Sequence, residues 1–164
     1  MAGLSDKVEL DREDIRRLDQ LGDRLGDTRP LMAAIGGFVR DVARGRFREQ
    51  KGPDGKPWTK SLRAQLVGGT TLVDRGLLRD SYIDRTTATE AVVGTADIRA
   101  RIHHFGGVIR SRSGGKLAFG LADGGFAVVS QVTMPARPAL GVNDADRVEI
   151  RALVADFVEM GAAA

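Results

Sequence analysis

Residues 96–119 read ADIRARIHHFGGVIRSRSGGKLAF, and the fold class turns on this stretch. Ala96 to Phe105 is expected to form a helical turn or two, stopped by the glycine pair Gly106-Gly107. From Val108 onward the pattern is β. Val108-Ile109, Lys116 to Phe119 and Phe126 to Val132 are strand candidates, separated by the turn-rich segments Arg110 to Gly115 and Ala122 to Gly125.

Upstream of this switch the chain reads mainly as helix. Ile15, Leu18, Leu21 and Leu25 recur at spacings of three and four, an apolar stripe on a highly charged helix over residues 8–25. A second helix starts near Pro30 and runs to Gly45 or a little beyond, with Leu31, Ile35, Phe38 and Val42 on one face. Asp27 and Thr28 are its cap candidates, and Pro30 suits a first turn. Lys51 to Pro57 is a Pro- and Gly-punctuated loop that delivers Trp58, the only tryptophan. Leu62 to Val67 is expected to be a short helix ended by Gly68-Gly69, and Gly76 to Ser81 a helical turn. Tyr82 to Thr87 and Glu90 to Gly94 read as two short strands joined by a tight turn.

Downstream, Met134 to Gly141 holds Pro135 and Pro138 and is expected to be extended, because each proline disfavours helix in the residue before it. On this reading Leu140 drops into the core and Arg137 projects between the prolines. It would pair there with a carboxylate of a neighbouring subunit or with Asp144 or Asp146 of its own chain. Asn143, with Asp146 three residues on, opens a closing helix whose stripe is Ile150, Leu153, Val154, Phe157 and Val158. The sum is an α+β chain: N-terminal helices, a small mostly antiparallel β-sheet and a C-terminal helix. Residues 1–28 are read as a helical arm, 29–160 as one domain and 161–164 as a frayed tail.

The charge is unevenly spread. Residues 51–117 carry 12 basic and 6 acidic side chains, while residues 118–164 carry 3 and 6. A basic middle and an acidic end suit head-to-tail association or an acidic partner. The chain has no cysteine, which removes disulfides and thiolate chemistry. Met1 to Leu10 has no apolar core of a signal peptide, and no apolar run approaches membrane-spanning length.

Chemistry-bearing patterns are sparse. His103 and His104 are the only histidines, and adjacent side chains diverge, so a shared metal is not expected; local hydrogen bonding is. Neither a nucleophile elbow nor a complete phosphate loop occurs, so neither catalytic nor cofactor-binding residues are assigned. Arg110, Arg112 and Lys116 form a basic loop able to grip acidic groups on a protein or on DNA.

Four segments in order resemble the phage virion morphogenesis family of Mu-type G proteins and P2-type tail-completion proteins. They are Phe47 to Trp58, Leu72 to Tyr82 around Gly76, Ala100 to Gly107 with His103, Phe105, Gly106 and Gly107, and Met134 to Gly141 with Pro135, Pro138 and Leu140. Arg99 replaces a Tyr, and Ala139 a Phe, that are common in the family. The resemblance implies a non-enzymatic structural subunit without cofactors, which completes the tail or joins it to the head as a ring, with a hexamer the expected form. Implied partners are further copies of the chain, tail-tube or neck proteins, and DNA passing through the ring. The implied location is the virion tail or neck, after assembly in the bacterial cytoplasm. A small basic DNA-binding protein is the alternative, and a hydrolase using either histidine is a third reading.

Overall fold

The computed structural model describes residues 26–162 and, before them, Arg16, Asp19, Gly22 and Asp23, which are helical. The expected helix over 8–25 otherwise lies outside the described residues, as do residues 163–164 of the expected frayed tail.

Helix α1 (Arg29–Glu49) is the spine. Pro30 stands in its first turn, as its fixed φ and missing N–H favour. Thr28 occupies the cap position, but its hydroxyl donates to Ala88 O, far along the chain, instead of capping the helix. Asp27 Oδ1 takes the Arg29 N–H at 3.1 Å. The helix runs through Gly45 to Glu49, because Arg46 and Phe47 beyond it are both buried and need helical geometry to reach the core. It ends on Gln50, a non-glycine residue at φ 58. That conformation costs on the order of 1 kcal/mol. The Gln50 side chain offsets it by donating to Phe47 O at 2.6 Å and Thr71 O at 3.0 Å and accepting from Thr71 N at 2.8 Å.

The loop after α1 folds back on itself. Gly52 N–H donates to Lys56 O at 2.9 Å and Trp58 N–H to Gln50 O at 2.7 Å, which brings Trp58 over Phe47. Their rings meet edge to face at 5.3 Å, and Tyr82 tilts against Phe47 at 6.0 Å. Both separations are those of attractive aromatic pairs. Helices α2 (Leu62–Leu66), capped by Ser61, and α3 (Leu77–Asp80), entered through Gly76 at φ 79, close this side. The core is Ala43, Phe47, Trp58, Leu78, Tyr82 and Ala139, with Leu72, Val73, Ala100 and Leu140 packed around it.

Strands β1 (Ile83–Thr86) and β2 (Ala91–Gly94) form a hairpin against α1. The approach is close: a Cβ on Gly36 would stand 2.9 Å from Thr86 Cγ2. Arg40 Nη1 donates to Asp84 Oδ1 at 2.7 Å, and Arg44 Nη2 to Tyr82 O at 2.7 Å. Helix α4 (Ile98–Phe105), capped by Asp97, follows and stops at Gly106 as its glycine pair predicts.

The rest of the β region departs from one continuous sheet. Among the described residues there are three separate two-stranded antiparallel ladders. The expected strand Phe126 to Val132 is divided at Ser130 into β5 (Phe126–Val129), paired with β4 (Leu117–Gly120), and β6 (Gln131–Met134), paired with β3 (Gly107–Arg110). The two ladders are built from the same two runs of chain, an arm in which residues 111–116 on one side stand against Ser130 alone on the other. The inserted residues have no partners in the ladder, so the register must break there.

Helix α5 (Asp144–Ala162) closes the chain against α1. Its capping box is complete. Asp146 N–H donates to Asn143 Oδ1 at 2.8 Å and Asn143 N–H to Asp146 Oδ2 at 2.9 Å. Ile150, Leu153 and Phe157 are half-buried, whereas Val154 and Val158 of the expected stripe are exposed. The fold is α+β, with helices before and after small antiparallel sheets.

Candidate assembly site

Residues 135–143 form a strap between β6 and α5, and the core grips it through its carbonyls. Pro138 O accepts from Trp58 Nε1 at 3.2 Å, while Ala139 O and Gly141 O accept from Arg46 Nη1 at 2.8 and 2.7 Å. Prolines and extended backbone leave these carbonyls unable to bond locally, so buried donors from elsewhere must satisfy them. Arg46 also holds Asp146 at 2.8 Å through Nη2, tying the strap and the start of α5 to α1. Burial lowers the Arg46 pKa, against the opposing pull of Asp146 and Glu49. Ala139 is 2% exposed, so the position keeps its place in the core although the side chain is small.

Arg137 requires a correction. It does not project to solvent between the prolines: it is 4% exposed, and its Nε donates to Thr59 O at 2.7 Å rather than to a carboxylate. Its backbone N–H donates to His103 O at 2.6 Å, which seats the strap on α4. The carboxylate-binding role expected of Arg137 within the chain belongs to Arg46. Leu140 is only partly buried at the core edge.

His103 faces inward and is half-buried; its Nδ1 has no hydrogen-bond partner among the described residues, nor has Arg137 Nη1. The hydrogen bond expected of the histidine is made by its main chain instead. Burial, then the charges of Arg137 and Arg99, hold its pKa below the ordinary value, with Asp97 opposing. His104 is also lowered by burial and stands edge-on to Phe105 at 4.6 Å. Among the described residues no three His, Asp or Glu side chains gather to hold a metal. A cavity of about 240 Å³ beside His103 is lined by Ser61, Arg63, Asp74, Arg75 and Arg99 among others. Three of its polar groups are engaged elsewhere: Ser61 Oγ caps α2, Arg63 holds Thr70 O and Val73 O, and Arg99 holds Asp97.

Gly106 is the pivot between α4 and β3. It sits at φ 70, and a Cβ there would stand 2.8 Å from both Met134 O and Ala136 N. Glycine is therefore required both by conformation and by contact with the strap. Gly107 follows at φ 146.

The basic residues lie apart from this hub. Arg110, at the end of β3, donates to Gln131 Oε1 at 2.9 Å. Arg112 and Lys116, in the insert of the arm, are exposed, with no ion pair among the described residues. Phe105, expected among the structural motif residues, is 73% exposed and does not join the core. Arg46, Gln50 and Thr71 escaped the sequence reading. A signal for Arg46 existed: it continues the row Leu31, Ile35, Phe38, Val42 by one further step of four.

The sequence is 29% identical over 143 residues to the Mu-like prophage FluMu G protein 2 of Haemophilus influenzae, covering 87% of each chain. No solved structure matches it. No helix among the described residues is long and apolar enough to cross a membrane. Residues 11–159 match the phage virion morphogenesis family, and the chain belongs to that family.

Proposed function

We propose that the chain is a structural, non-catalytic subunit that forms a ring, expected to be a hexamer, at the end of a phage tail or at its junction with the head. The observation that carries this reading is the division of labour among side chains. Phe47, Trp58, Gly106 and Pro138 of the family-like segments hold the hub and strap in shape. Large apolar side chains, Ile98, Phe105 and Phe126 among them, are left outside. A chain that spends its motif residues on rigidity and displays apolar surface is suited to contact neighbours. Tail-tube or neck proteins are the partners expected at the faces of such a ring, within the virion.

The test is to remove the gene from an inducible prophage and image the particles. Heads and tails that fail to join, or tails of uncontrolled length, are the expected result, with tagged protein found at the tail end or neck. Normal particles lacking the protein would overturn the reading. A second reading, a small DNA-binding protein, draws on the exposed cations Arg112 and Lys116. It requires DNA affinity that falls steeply with salt and is weakened by Arg112→Ala/Lys116→Ala.

A further inference from the structure

We propose that the outward face of α4, with the start of β3, is a socket for a second copy of this chain, and that the exposed face of α5 is what fills it. The proposal rests on the ring reading above and names the surfaces by which neighbours would join.

Ile98, Ile102 and Phe105 share one face of α4 by helical spacing. Such a stripe ordinarily turns inward. Here Ala100 and His103 face the core side, while Ile98 is 93% exposed and Phe105 73%. With Arg101, Ile102, Gly106 and Val108 they line an open groove of about 590 Å³. A contiguous apolar groove with a cation, Arg101, in its lining marks an interaction surface.

Charge selects the occupant. Arg101 is the charged side chain that lines the groove, and along the chain from Ile98 to Lys116 Arg99, Arg110, Arg112 and Lys116 add four further cations and no carboxylate. Asp97 holds Arg99, but Arg101, Arg112 and Lys116 have no ion pair among the described residues. The groove therefore suits a surface both apolar and acidic. DNA would neutralise the cations and leave Ile98 and Phe105 uncovered. Helix α5 offers both properties: Val148, Val154 and Val158 are exposed on it, near Glu149, Asp156 and Glu159. Arg147 and Arg151 are its only cations, and of its acids Asp146 is already held by Arg46. Socket and plug are different surfaces, so each copy binds one neighbour at each side. Such contacts run head to tail and close into a ring if the rotation permits.

Two variants test this. Ile98→Ser/Phe105→Ser damages only the socket, and Asp156→Lys/Glu159→Lys only the plug. All four side chains are exposed, so folding should survive, as thermal melts would verify. Arg101→Glu is a milder socket variant should the first fail to fold. Each variant alone should lose self-association at least about tenfold in sedimentation. An equal mixture should form one-to-one dimers and nothing larger, because it holds one intact socket and one intact plug. The proposal is overturned if either variant assembles like the unaltered chain, or if the mixture stays monomeric. It is equally overturned if the unaltered chain is monomeric at about 1 mM, or if the socket variant loses only DNA binding. Particle imaging keeps the two readings apart. A socket variant that enters normal particles sinks this proposal and leaves the ring subunit standing. Absence of the unaltered chain from particles sinks the latter, whatever sedimentation shows.

Discussion

The hub around Phe47 and the arm of β3 to β6 have opposite constructions. In the hub the bonds join residues far apart in the chain: Arg46 reaches Ala139, Gly141 and Asp146, Trp58 reaches Pro138, and Gln50 reaches Thr71. In the arm the chain is joined by main-chain ladders, β3 with β6 and β4 with β5, in place of buried side chains reaching to distant backbone, and no residue of β3 or β4 is buried. Two-stranded ladders are marginal in isolation. The difference teaches that stability resides in the hub, while the arm and the outer face of α4 are free to vary in contact without endangering the fold.

Phe47→Ala should break that comparison most severely. The side chain is 1% exposed and touches both Trp58 and Tyr82. Its loss should cost about 3–5 kcal/mol in chemical denaturation. Arg46→Met should follow, since it strands the Asp146 carboxylate and two strap carbonyls. The expected loss is about 3 kcal/mol. Arg46→Lys should recover only part, because an ammonium cannot reproduce the fork. If Arg46→Met melts like the parent, the strap is held by apolar packing alone. Gly106→Ala meets both a positive φ and the strap backbone. Its expected cost in the same denaturation measurement is about 2 kcal/mol.

A pH profile sharpens the comparison further. His103 has a pKa below its ordinary 6.5 in the folded chain. The unfolded chain therefore binds more protons as pH falls. The stability it contributes is present above about pH 6.5 and is lost as pH falls through the folded pKa. His104 acts in the same direction. Melting temperature should therefore drop between about pH 7 and about pH 5, and His103→Gln/His104→Gln should flatten that slope. An unchanged slope would show that the acid sensitivity comes from other groups. The smallest effect is expected in the arm, at Phe126, whose side chain is 69% exposed. Phe126→Ser should shift stability by no more than about 0.5 kcal/mol. A larger loss would mean that the arm contributes to the hub.

Much of the secondary structure was legible because it is governed by residues within four positions of one another. The glycine pair Gly106-Gly107 stops α4, Pro30 starts α1, Asn143 and Asp146 cap α5, and Pro135 and Pro138 extend the strap. Local sterics and local hydrogen bonds dictate each of these wherever the segment sits. Tertiary structure alone decided that Arg137 is buried on Thr59, that Arg46 takes the carboxylate, that the strand at Ser130 divides, and that the stripe of α4 faces out. Each depends on which distant backbone arrives with an unsatisfied carbonyl or a free surface. A pattern of period two or 3.6 holds no record of that, because it says which side chains share a face and not what that face will meet.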